Sequence, residues 1–228
     1  MLDAAYRNAR RRISTLAVGL TADQLRTPVP ATPEWTVQDV LAHMVGGAAD
    51  EDSGRMDAAG SEQWTRRHVG ERRDLSVQQL LAEWDRVGPA VEAGLAGRKM
   101  TGPNLAADVI CHEADLCEAL GLGRVDREHW QPFLEVMMRF VRGQLRNSTA
   151  LSIHDDQGQQ WNCGSGEPAT VVRADGYELL RASFSRRSRS QIAAWDWTSA
   201  PDPTVVECFG CFGGRDDDQP IPIGIGRR

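Results

Sequence analysis

Leu2, Ala5, Ala9, Ile13 and Leu16 recur at close to helical spacing and predict an amphipathic helix over residues 2–18. Thr21-Ala-Asp-Gln24 reads as a capping box ahead of a short turn. Pro28, Pro30 and Pro33 then break the chain. Thr36, with Asp39 three residues on, caps a second helix whose apolar stripe is Val37, Val40, Leu41, Met44 and Val45. Residues 46–74 are rich in glycine and charge and show no assignable period. Ser76-Val-Gln-Gln79 is another capping box and opens a helix through Leu80, Leu81, Trp84, Val87 and Val91. Pro103 sits where helices start, and the helix after it stops at Gly121-Leu-Gly123. A last helix covers roughly Arg127 to Arg146. Together these predict an antiparallel four-helix bundle over residues 1–147.

The pattern changes near Asn147-Ser-Thr149. Leu151–His154 and Gln159–Asn162 alternate around Asp155-Asp-Gln-Gly158, which predicts a hairpin. Ala169–Arg173 predicts a third strand and Thr204–Phe209 a fourth. Asp175 to Phe184 and Ser188 to Trp195 predict helices between them. Strands mixed with helices imply a small α+β domain over residues 148–228.

The 228 residues suffice for two small cores, and the net charge of −6 gives no electrostatic argument for nucleic acid or an anionic membrane. No apolar run approaches the ~20 residues that span a bilayer, and MLDAAYRNARRRIS lacks the apolar core of a signal peptide. Five cysteines without framework spacing fit a reducing, cytoplasmic setting.

Candidate chemistry lies on the helix around residue 110. Leu105, Val109 and Leu116 mark its apolar face, with Asp108, His112 and Asp115 in a polar stripe beside it. Asp108 and His112 are one turn apart, a spacing that can bind one metal ion. His43, on the flank of the 37–45 stripe, can face the same interior. Two imidazoles and one carboxylate leave open positions, as in catalytic zinc and non-haem iron sites. The same residues also fit a hydrogen-bonded core histidine and a simple intrahelical pair worth about 0.2–0.5 kcal/mol.

The segment Thr32-Pro-Glu-Trp-Thr-Val-Gln-Asp-Val-Leu-Ala-His43 resembles the N-terminal signature of the mycothiol-dependent maleylpyruvate isomerase family, within the DinB-like superfamily. Asp108-Val-Ile-Cys-His112-Glu-Ala-Asp-Leu-Cys-Glu-Ala-Leu-Gly121 resembles that family's second metal helix, and Arg186-Arg-Ser-Arg-Ser-Gln-Ile-Ala-Ala-Trp195 its sterol-carrier-like second domain. The resemblance implies a DinB-like bundle followed by a sterol-carrier-like domain, with His43, Asp108 and His112 as ligands of a divalent metal, zinc first. Asp108 stands where the isomerases commonly have Glu, one methylene longer. Asp115 then supports the site by a hydrogen bond.

The implied partners are a small electrophilic substrate and a low-molecular-weight thiol, mycothiol in the namesake enzymes. A metal-activated thiolate adds to a conjugated double bond. Rotation and elimination give the trans isomer, whereas a transferase keeps the adduct. A zinc enzyme working through bound water and a non-catalytic small-molecule binder are the other readings.

The remaining motifs carry less. Cys208-Phe-Gly-Cys211 has no second pair and reads as packing cysteines, with reversible oxidation as the alternative. Cys111 reads as a core residue. Arg186, Arg187 and Arg189 form either a solvated face or a carboxylate site, with Arg187 the family-based guess. Trp35, Trp84 and Trp130 read as packing residues. His68, His129 and His154 lack partners at motif spacing and read as surface or hinge residues.

Overall fold

The computed structural model describes residues 2–99 and 104–222, so Pro103 lies outside the described residues. Among them the chain forms ten helices and two sheets, and it divides into two compact units. One runs through Val125 and is joined by the stretch from Pro220; the other is Asp126–Gln219.

The first unit holds α1 (Leu2–Val18), α2 (Ala22–Leu25), β1 (Pro28–Val29), β2 (Thr32–Thr36), α3 (Val37–Ser53), α4 (Glu62–Arg72), α5 (Val77–Leu95) and α6 (Leu105–Ala119). All three capping boxes are made. Thr21 with Gln24 starts α2, Thr36 with Asp39 starts α3, and Ser76 with Gln79 starts α5. α1 and α3 each pack against both α5 and α6, and α3 also meets α4 and β2. α1 buries Leu2, Tyr6, Ala9, Ile13 and Ala17. Its Tyr6 hydroxyl accepts a 2.9 Å hydrogen bond from Trp84 Nε1, so Trp84 is a core residue with its polar atom satisfied.

α3 is the centre of this unit. It does not stop at Val45: every residue from Val40 to Asp50 is buried, and the helix ends at Gly54 in the left-handed conformation. A helix surrounded on several sides needs no single apolar stripe. α4 occupies part of the region that shows no sequence period.

The second unit holds α7 (Arg127–Gln144), a 3-10 turn at Leu145–Asn147, β3 (Thr149–His154), β4 (Gln160–Cys163), β5 (Ser165–Arg173), α8 (Gly176–Ser183), α9 (Arg189–Ala193), β6 (Asp196–Trp197) and α10 (Pro203–Glu207). The sheet order is β4-β3-β5-β6. The β3/β4 pair is antiparallel, with Leu151 opposite Cys163 and His154 opposite Gln160, as the alternation predicts. β5 runs parallel to β3 and β6 antiparallel to β5.

α7 packs on α8 and β4, burying Trp130, Phe133, Leu134, Met138 and Val141. The change of sequence pattern lies near residue 147, and compact packing groups α7 with the sheet that follows it. The expected strand at Thr204–Phe209 is the helix α10. Asp202 accepts from Thr204 N–H as N-cap, and Pro203 takes the first helical turn, a start signal stronger than the two valines that follow. No helix among the described residues is long and apolar enough to cross a membrane.

Candidate metal centre

His43 lies midway along α3, while Asp108 and His112 stand one turn apart on α6; α3 and α6 are packed neighbours. Their ligand atoms all lie within 4.8 Å of one another. His43 Nε2 is 3.6 Å from Asp108 Oδ2, and His112 Nε2 is 3.6 Å from Asp108 Oδ1. Neither separation is a hydrogen bond. Tetrahedral bonds of about 2.0–2.1 Å place neighbouring ligand atoms ~3.3 Å apart, so the spacing suits donors that share one ion. Both imidazoles are buried, whereas the Asp108 side chain keeps 34% of its surface exposed, which opens the trio on that side.

The outward nitrogens of both histidines are also engaged. His112 Nδ1 is 3.0 Å from Asp115 Oδ2, and Asp115 is fully buried. That pairing orients the ring with Nε2 towards Asp108. His43 Nδ1 is 3.2 Å from Nδ1 of His68 on α4, and His68 Nε2 is 2.9 Å from Asp50 Oδ2. His68 is therefore neither a surface nor a hinge residue: it is fully buried behind His43. Burial, together with the neighbouring His43 and Arg72, pushes its pKa down to about 4 against the pull of Asp50, so it is neutral at pH 7. Burial works to raise Asp50, but the bond from His68 and the charge of Arg67 outweigh it, and the carboxyl stays below its ordinary range. Arg67 and Arg55 both pair with this carboxylate.

Aromatic rings close the surroundings. The Trp35 ring, on β2, lies 5.0 Å from His43 and 6.4 Å from His112, and is only half-buried. It therefore borders the candidate centre besides packing there. Trp64 stands edge-on to His68 at 4.1 Å and to His43 at 6.0 Å. Cys111 is buried in the core, beside His112 in sequence but absent from the trio of candidate ligands.

In the second unit, the basic run is not a solvated face. Arg187 is 1% exposed, donates from Nη2 and Nε to Glu178, and bonds the Arg186 carbonyl. Arg186 is buried and donates to the Phe184 carbonyl, while Arg189 pairs with Glu207 and Asp216. These contacts build the unit rather than display its charge. His154 Nε2 is 2.9 Å from the Ser152 hydroxyl, and His129 is 3.8 Å from Glu128. Arg127 lies over the Trp130 ring, which also meets Tyr177 edge-on.

The C-x-x-C cysteines are free thiols in a setting that suppresses thiolate. Burial raises Cys208 and pushes Cys211 up to about 11, as it does Cys163. At pH 8 a thiol near 11 carries about 100-fold less thiolate than one at the ordinary 9.0. Iodoacetamide at pH 8 is expected to modify Cys163 and Cys211 at least ~10-fold more slowly in the native protein than in the denatured chain. The raised values mean that the neutral thiols stabilise the fold below pH 9, a contribution lost as pH rises towards 11. Peptide mass mapping measures the labelling; equal rates at Cys211 would return the Cys208/Cys211 pair to the redox reading.

Comparison with known proteins gives three findings. Two crystal structures, of the mycothiol-dependent maleylpyruvate isomerase and of its histidine-to-alanine variant, share the fold with TM-scores of 0.56 and 0.57. Their identities to this chain are 11% and 10%, and each alignment covers 89% of this chain and 94% of that one. A comparison with curated proteins finds no match. Residues 6–117, which contain all three candidate ligands, match the family described as Mycothiol maleylpyruvate isomerase N-terminal domain. Over this segment the chain is similar to the mycothiol maleylpyruvate isomerase N-terminal domain family.

Proposed function

We propose that the protein is a metal-dependent enzyme that uses a low-molecular-weight thiol, mycothiol in the first instance, to isomerise or thiolate a small electrophilic substrate. The observation that carries this reading is the convergence of His43, Asp108 and His112 in a segment similar to this family. In the same reading, α1, α3, α5 and α6 are the DinB-like four-helix bundle, and the sheet with its helices is the sterol-carrier-like domain.

The chain's own residues have defined parts. His43 and His112 offer Nε2 lone pairs, because their Nδ1 atoms face His68 and Asp115. Asp108 adds a negative charge between them. A divalent ion held there, zinc first, lowers the pKa of a thiol or water bound to it. The open side beside Asp108, bordered by Trp35, is where thiol and substrate would enter.

The test is turnover of maleylpyruvate with mycothiol by the purified protein, before and after chelation and after readdition of zinc. Turnover that needs both metal and thiol is expected. Turnover indifferent to mycothiol would support a zinc enzyme using bound water instead. A metal-free protein that copurifies with an apolar molecule would support a binding protein.

Asp108 is the ligand whose identity departs from the isomerases. Asp108→Glu is expected to keep zinc affinity within ~10-fold, because the oxygen donor survives, while Asp108→Ala loses ~100-fold or more. Competition with a chromogenic chelator measures both. Equal affinities for the two variants would remove Asp108 from the ligand set.

A further inference from the structure

Behind His43 the structure places a buried chain of polar atoms that the sequence motifs do not announce. His68 Nδ1 meets His43 Nδ1 at 3.2 Å, and His68 Nε2 meets Asp50 Oδ2 at 2.9 Å. His68 and Asp50 both have 0% exposure. Asp50 lies two helical turns beyond His43 on α3, and His68 reaches both from α4. Between them stands Gly46. A Cβ there would lie 2.4 Å from Cβ and Cγ of His68, so only glycine admits the ring. The far end is anchored by charge. Arg55 Nη2 is 2.9 Å from Asp50 Oδ1, and Arg67 pairs with the same carboxylate.

For two neutral imidazoles beside an ionised Asp50, these distances leave one proton arrangement. Asp50, ionised and held by two guanidinium groups, is an acceptor. Neutral His68 therefore carries its proton on Nε2 and donates it to Asp50. Its Nδ1 is then a lone pair, which accepts from His43 Nδ1–H. His43 in turn is left with a lone pair on Nε2, the nitrogen that faces Asp108. We propose that His68 and Asp50 are positioning residues that lock His43 in the Nδ1–H tautomer and so keep Nε2 available to a metal ion. The proposal rests on the metal reading of the centre. It makes the Gly46 contact and the arginine anchors parts of one device: a carboxylate fixes the proton of one histidine, and that histidine fixes the proton of the next. Metal-binding histidines commonly donate their second N–H to a single acceptor. Here the acceptor is itself a histidine whose tautomer a buried carboxylate sets.

Two measurements test it. In the metal-free protein at pH 8, two-bond proton–nitrogen correlations on ¹⁵N-histidine report each ring's tautomer without metal or activity. His43 is expected as Nδ1–H and His68 as Nε2–H; His43 protonated on Nε2 would overturn the proposal. The second measurement is zinc affinity by chelator competition in the full chain. His68→Leu removes the acceptor and is expected to weaken zinc ~10–100-fold. His68→Asn places an amide oxygen near the position of Nδ1 and is expected to recover most of that loss. A merely structural residue would not show this rescue, and equal affinities for wild type and both variants would overturn the lock. If wild-type protein takes up no zinc, the metal reading fails, and the nitrogen spectra alone then decide whether the tautomer is locked.

Discussion

His112→Ala is expected to reduce bound zinc from about one ion per chain to near zero, with helicity unchanged. In the proposed three-residue set His112 would supply one of two nitrogen donors, and an ion left with His43 and Asp108 alone would lose a third of its protein ligands. Affinity should fall by at least ~100-fold, at the upper end of what even supporting residues contribute. The fold should survive. Its core is the apolar packing of α1, α3, α5 and α6, with Leu41, Leu80, Leu116 and Trp84 all buried. The substitution does carry a structural cost, because Asp115 loses its bond from His112, a deficit of about 1–3 kcal/mol.

His112→Asn separates the two effects. Its amide nitrogen can still donate to Asp115, yet it presents nothing in place of Nε2. Both variants should therefore lose zinc, while Asn melts closer to wild type than Ala. Elemental analysis and thermal unfolding measure the two quantities. Zinc content unchanged in either variant would remove His112 from the ligand set.

Much of this centre is legible in the sequence because helices translate spacing into geometry. Asp108 and His112 share a face by virtue of four residues' separation, and the Thr36/Asp39 box fixes where the helix carrying His43 begins. The supporting chain was not legible for a physical reason. His68 meets His43 only through the packing of α4 on α3, a tertiary contact with no period in sequence. α4 is also strongly polar on its outer face, so its helical stripe reduces to Trp64, His68 and Arg72. One signal was present. Gly46-Gly47 inside a helix costs about 1 kcal/mol per glycine relative to alanine, which marks a close approach by something. Asp50, seven residues after His43, lies on the same face.

The second unit shows the opposite limit. α7 is strongly periodic, so its existence is plain in the sequence, but periodicity does not name the partner of an apolar face. Helices before it and strands after it offer equally good cover, and only the packing on α8 and β4 decides. Arg187 is a similar case. A run of arginines looks like a surface until Glu178, nine residues earlier, is seen to take its guanidinium into the interior.

The position of α7 makes a truncation decisive. A fragment ending at Val125 is expected to fold as a helical monomer and to keep zinc, since His43, Asp108 and His112 all lie within it. A fragment ending at residue 146 is expected to behave worse although it is longer. It carries Trp130, Phe133, Leu134, Met138 and Val141 without the α8 and β4 surfaces that cover them. Each large apolar side chain left in water forfeits about 1.5–3 kcal/mol, and five on one helix form a sticky stripe. Self-association on size exclusion and early proteolytic cleavage within 127–144 should follow, while the metal content of the two fragments stays equal. If instead the longer fragment is monomeric, protects α7 from protease and melts higher than the shorter one, α7 belongs with the first helices. The boundary at 147/148 that the sequence pattern suggests would then be the real one. Loss of zinc from both fragments would have a different meaning: the second unit would then be required to hold the ion.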